Sequence, residues 1–139
     1  MLVYAQPDDL MSGWLDEPPT TAVATRAIRY ASILVRTATR CDHYEVSPAG
    51  APTEPDVIEA MRDATCAHAA MWITAGINPA AGSAGREIGI ASQSADGGSV
   101  TYADSVTAEE VEVSLRRLIP TALDILRNAG MASTRPDTW

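Results

Sequence analysis

Every cysteine and histidine of this chain falls in two short groups, Cys41-Asp42-His43 and Cys66-Ala67-His68. Two thiols and two imidazoles form a donor set for tetrahedral zinc, and an extended backbone would put Cys41 and His43 on one face. The second pair fits worse. On a helix, Cys66 and His68 stand about 200° apart, so one ion cannot meet both without unwinding it. The alternative makes Cys66 a buried core thiol and His68 a residue at the core edge. The same geometry argues against a nucleophile pair, and no serine sits in a glycine elbow or a phosphate-cradling loop. Gly82-Ser83-Ala84-Gly85 is too generic to be one. The acid pairs Asp8-Asp9 and Glu109-Glu110 fall in first helical turns, where carboxylates favour the helix dipole. The sequence therefore points to a protein that is not an enzyme, with no catalytic residues, bound metal or cofactor expected.

The elements that hold these residues read as helices. Pro7-Asp8-Asp9-Leu10 opens a short helical segment reaching about Trp14-Leu15, and Pro18-Pro19 closes it off. A longer helix follows, capped by Thr20 or Thr21, with Val23, Ala27, Tyr30, Ala31, Leu34, Val35 and Ala38 recurring as one buried stripe. Arg26, Arg29, Arg36 and Arg40 lie along another face. That row is either a solvated face or, at Arg29 and Arg36, a set of partners for acids on a neighbouring subunit. Residues 41–53 form a connection with a candidate strand at His43 to Val46, closed by Pro48-Ala49-Gly50. The second long helix runs from about Pro55 to Ala75, with Val57, Ile58, Met61, Ala64, Thr65, His68, Met71, Trp72 and Ala75 on one side. Gly76 stops it, Pro79 prevents its resumption, and Gly76 to Gly85 reads as a loop.

Between Ile88 and Arg117 a polar hairpin passes almost directly into a third helix. Ile88, Ile90, Ser92, Ser94, Val100 and Tyr102 share a face only if Asp96-Gly97-Gly98 is a three-residue loop, since a one-residue slip reverses Val100 and Tyr102. An isolated hairpin this rich in Ser, Gly and Ala supplies no core of its own, so it must dock on its own helices or on a neighbour. Thr107 and Glu110 form a capping box for the helix. Val111, Leu115, Leu118, Ala122, Leu123 and Leu126 keep helical phase through Pro120, which predicts a kink near Arg116 within one helix. Gly130 ends it. Met131 to Trp139 has no periodicity, and on its own such a tail should be disordered. The expected fold is mainly α: three longer helices and a short N-terminal helix, one hairpin at about 88–103 before the last helix, and an extended C-terminal tail. Residues 1–130 make a single domain and 131–139 the tail.

Composition narrows the class further. With 139 residues, 46% of them apolar, abundant Ala and no Phe, the core must be thin, and association with other copies would help stabilise it. The ten cations are all Arg and face eighteen carboxylates, a net charge of -8. Such a chain lacks the basic footprint of a nucleic-acid reader, although an acidic surface suits DNA that slides past without sticking. The start, Met1-Leu2-Val3-Tyr4, has neither a cationic region nor a long apolar run, so no secretory signal or membrane span is expected, and the chain is expected in the cytoplasm when made. Its two cysteines then read as free thiols.

Several segments together resemble one family. LVYAQPDDLMSGWL, AIRYASILVRTATRCDHYEV, PDVIEAMRDATCAHAAMWITAGI and ASQSADGGSVTYA, in that order, are similar to the small head-to-tail connector proteins of long-tailed actinobacterial phages and prophages, also called adaptor or head-completion proteins. The lysine-free, Ala- and Arg-rich composition is similar too. The resemblance implies a structural virion protein at the head–tail junction. It would form a homo-oligomeric ring, typically dodecameric, beneath the portal protein, with a further head-completion or tail-side protein below it. DNA would pass through its channel without sequence-specific binding, and no membrane is involved. By this resemblance Met131, Arg135 and Trp139 are candidate portal contacts. Ile90, Ser92, Ser94, Asp96, Val100 and Tyr102, with Arg29 and Arg36, are candidate intersubunit or tail-side contacts. The competing class is a small zinc-binding or DNA-binding regulator, for which only the Cys/His groups and the Arg row are candidates.

Overall fold

The computed structural model describes residues 2–42, 44–81 and 108–132. A short 3-10 helix, Pro7–Met11, precedes α1 (Thr21–Ala38) and α2 (Pro55–Ala75). A single 3-10 turn at Pro79–Ala81 follows, and then α3 (Ala108–Ser114) and α4 (Pro120–Asn128). The architecture is mainly helical, as the periodicity implies. The hairpin expected at about 88–103 lies outside the described residues, and there is no strand among those described.

The ends of the two long helices follow from single residues. Thr20 is extended, and its hydroxyl accepts the Val23 N–H at 3.2 Å, so an exposed first-turn amide of α1 is satisfied by a side chain. Pro55 opens α2, where its missing N–H costs nothing. At the far end Gly76 takes φ +73°, which lets its N–H reach the Ile73 carbonyl at 3.2 Å and the Ile77 N–H reach Trp72 at 2.9 Å. These two bonds close the last turn in the Schellman pattern.

The helices α1 and α2 pack antiparallel along a seam of small side chains. Ala24, Ala27, Ile28 and Ala31 meet Cys66, Ala69, Ala70 and Trp72 at one end, with Leu10 from the 3-10 helix beneath them. At the other end Val35 meets Val57, Ala60, Met61 and Ala64, and α4 completes that cluster with Ala122 and Leu126. Alanine lets the backbones approach closely but buries little area per residue, so the bulky contributors, Trp72, Leu10, Met61 and Leu126, carry a large share of the burial. The buried face of α1 includes Ala27, Ala31 and Val35 of the expected stripe but is centred nearer Ala24 and Ile28, leaving Val23, Tyr30, Leu34 and Ala38 at its margins.

Two local expectations are corrected. The connection before α2 has no strand among its described residues: one antiparallel bridge pairs Val46 with Pro52. Around it the Ser47 N–H donates to Ala51 at 2.7 Å and the Thr53 N–H to Glu45 at 3.1 Å. These bonds flank the Val46–Pro52 pair on both sides, so Pro52 sits where the ladder asks for no N–H and is tolerated there. His43 lies outside the described residues. The second correction concerns the last helix, which is broken rather than kinked. The segment 115–119 leaves helical conformation, and Ile119 is extended at φ -64°, ψ 157° before Pro120 begins α4. A proline disfavours helical conformation in the preceding residue and cannot close the hydrogen bond of its own turn, so here it starts a helix instead of bending one. The expected apolar phase survives the break, with Val111, Leu118, Ala122 and Leu126 all buried. Thr107, the expected cap of this region, is outside the described residues.

The end of α4 repeats the device that ends α2. Gly130 at φ +83° donates to Arg127 at 2.9 Å, and Met131 donates to Leu126 at 2.8 Å while its side chain packs in the same cluster as Leu126. Ala132 then adopts φ +61° and donates its N–H to the Asp42 carboxylate at 2.7 Å, fastening this end to the turn after α1.

Candidate functional site

The chemistry-bearing residues separate in space. Cys66 points into the α1 seam with no exposed surface, and burial, followed by the Asp9 and Asp63 carboxylates, pushes its thiol up to about 12. At neutral pH it is a protonated thiol rather than a thiolate nucleophile or metal ligand. Cys41 is free and only partly buried. Among the described residues no group of three or more His, Cys, Asp and Glu converges in a way that would hold a metal ion.

His68 leaves α2 on the opposite side and enters a polar knot beneath the α3–α4 break. The Ile119 N–H donates to Nδ1 at 3.1 Å, and Nε2 lies 2.8 Å from the Ser114 carbonyl. A backbone N–H can only donate, so Nδ1 accepts and the ring proton sits on Nε2, donated to Ser114. Trp72, one turn further along α2, donates its indole N–H to the Ser114 hydroxyl at 3.1 Å, and that hydroxyl donates to Val111 at 2.7 Å. The two rings meet edge to face at a centroid separation of 4.4 Å. Burial holds His68 down at about 4, against a weaker upward pull from the Ser114 carbonyl. Both ring nitrogens are engaged, so the knot positions α3 and α4 on α2 and offers no free base. The sequence marked His68 and Trp72 as one face of α2. It gave no sign of Ser114 or Ile119, which lie 46 and 51 residues beyond His68.

Of the acid pairs, Asp9 does what first-turn acids do: its carboxylate accepts the Gln6 N–H at 2.8 Å, beneath the 3-10 helix. Near it, the Tyr4 N–H donates to the Ser32 hydroxyl at 3.2 Å, tying the N-terminal segment to α1. Burial, then the neighbouring Tyr44, pushes the Tyr4 phenol up to about 12. The phenol nevertheless lacks a partner at proper hydrogen-bonding geometry among the described residues.

The most distinctive surface is the outer face of α1. Along α1, Arg26, Arg29, Ile33 and Arg36 fall within about 80° of arc, roughly opposite the buried face, and Arg40 follows in the turn after the helix. Arg29, Arg36 and Arg40 are exposed, and Ile33 is 41% exposed at the middle of the row. The helix itself carries no carboxylate. None of the four arginines forms an ion pair with a described residue, and the Arg26 Nε is buried without a hydrogen-bond acceptor among the described residues. Arginines with no ion-pair partner among the described residues, in a chain with a net charge of -8, make this row the leading candidate for a recognition surface.

Met131, expected in the tail, belongs to the core, whereas Arg135 and Trp139 lie outside the described residues. The hairpin positions Ile90, Ser92, Ser94, Asp96, Val100 and Tyr102 lie outside them as well. No described helix is long and apolar enough to cross a membrane. Comparison with known proteins found no matching family model, no matching curated protein and no matching solved structure.

Proposed function

We propose that the protein is a structural component of a phage virion, a head-to-tail connector that assembles as a homo-oligomeric ring beneath the portal and continues the DNA channel. The observation that carries the self-association is the arginine face of α1, which has no ion pair among the described residues, on an otherwise acidic chain. The virion setting comes from the resemblance of the N-terminal segment, the two long helices and the hairpin region to connector proteins. In this reading Arg29 and Arg36 meet acids on the next subunit. The hairpin at about 88–103 supplies an intersubunit or tail-side contact, and the C-terminal tail engages the portal through Arg135 and Trp139. An acidic chain with few free cations lets DNA pass without holding it. The protein is made in the bacterial host's cytoplasm and acts at the head–tail junction, with no catalytic step and no cofactor.

The zinc-binding alternative loses support from the opposed directions of Cys66 and His68 and from the occupied imidazole nitrogens. A DNA regulator would have to use the α1 arginines, against the overall charge. Native mass spectrometry of the chain, alone and mixed with the portal ring of the same phage, tests the proposal. A stoichiometric complex with the portal supports the connector. A folded monomer that ignores the portal but shifts a DNA duplex in a gel would replace it with the regulator.

A further inference from the structure

The arginine face of α1 has a counterpart elsewhere on the same chain. Where α2 and α4 run side by side, a shallow, open groove of about 470 Å³ lies between Asp56, Glu59 and Asp63 on one rim and Ile125 and Asn128 on the other, with Ala60 in its floor. The three acids recur at i, i+3 and i+7, so they form a single row along α2. Asp56 and Glu59 are exposed and make no ion pair with a described residue, whereas the Asp63 carboxylate lies 3.5 Å from Arg62 of its own chain.

We propose that the arginine face of α1 docks into this acid-rimmed groove on a second copy of the chain, making a head-to-tail contact. This rests on the self-association part of the function proposed above and names the two surfaces that perform it. Three features select a second copy as the occupant. The charges are complementary, with exposed arginines that have no ion pair among the described residues on one face and exposed acids on the other. The spacings match, since Arg29 to Arg36 and Asp56 to Asp63 each span seven residues, about 10.5 Å of helix. The apolar parts also match: Ile33, 41% exposed between the arginines, would meet Ile125 on the rim opposite the acids. The arginine row lies on the outer side of α1 and the groove between α2 and α4, so one copy offers two different surfaces. Such a contact propagates from copy to copy instead of closing as a symmetric pair. A charged row beside a small apolar patch gives a contact that assembles readily at low salt and loosens as salt rises.

Neutralising substitutions test the pairing by sedimentation velocity at low ionic strength. The wild-type chain should form concentration-dependent oligomers that shrink on addition of salt. Arg29→Gln/Arg36→Gln removes one face and Asp56→Asn/Glu59→Gln the other. Each variant should retain its helical circular dichroism, because the four side chains are exposed, yet associate at least about tenfold more weakly than wild type. Mixed in equal amounts, the two variants should form a one-to-one heterodimer and nothing larger, because only one intact face remains on each. A wild-type chain that stays monomeric, or variants that oligomerise like wild type, overturns the contact. Portal binding is read separately. Variants that oligomerise normally and bind the portal would sink this contact and leave the connector standing. Oligomers that follow the expected pattern but ignore the portal would support the contact and remove the connector.

Discussion

At the scale of single residues, His68 shows how a side chain suited to chemistry can be committed to architecture. Its neutral ring bridges the Ser114 carbonyl and the Ile119 N–H, the two backbone groups on either side of the α3–α4 break. The pKa near 4, below the usual 6.5, means that between these values the unfolded chain takes up a proton that the folded chain refuses. Stability from this group is therefore full above about pH 6.5, falls as the pH drops, and levels off near pH 4, a loss of about 3 kcal/mol. Urea unfolding across that range should show His68→Gln with a shallower pH dependence than wild type by roughly this amount. The variant should also be less stable at pH 7 by about 2–4 kcal/mol, because buried backbone groups lose their partners. Equal slopes for the two proteins would mean that His68 does not sense the core. The helical periodicity of α2 assigned His68 to the right face, but it carried no information about partners contributed by a distant part of the chain.

At the scale of elements, what was legible was local. Thr20, Pro55, Gly76 and Gly130 each act through their own backbone or the next turn, so their types announce where helices begin and end. Gly76 has room for a methyl group, with no atom within 4 Å of an added Cβ, but its φ of +73° strains any L side chain. Gly76→Ala should thus lower stability by about 1 kcal/mol without altering the fold, a shift that denaturant unfolding resolves. A neutral result would mean that the α2 terminus rearranges at no cost. The break at Pro120 was harder to foresee, because a kinked helix and two helices in phase bury the same apolar positions. What separates them is the extended Ile119, held by His68 from another element. The single Val46–Pro52 bridge was likewise hidden, since composition marks a turn more clearly than the length of its ladder.

At the scale of the whole molecule, a seam of alanines leaves few large side chains to hold the fold. Leu126 is fully buried where α4 packs on α2, in the cluster that Val35 of α1 joins, and it also packs with Met131. Leu126→Ala should cost about 2–5 kcal/mol, a large part of the stability of a small domain, and thermal unfolding of the isolated chain would reveal it. A loss below 1 kcal/mol would show that α4 contributes little to the core. The mainly helical class and the thin core were legible from periodicity and composition. The acid-rimmed groove was not, because it combines one row of α2 with a helix more than sixty residues away in sequence. Assembly is the claim that joins these levels: arginines without ion-pair partners among the described residues, a groove lined with acids, and a core that association would reinforce. The most direct test is the native mass of the full chain alone and after mixing with the portal ring of its own phage. The account predicts oligomers of the chain and a stoichiometric complex with the portal. A folded monomer at every concentration, with no portal complex, would contradict it.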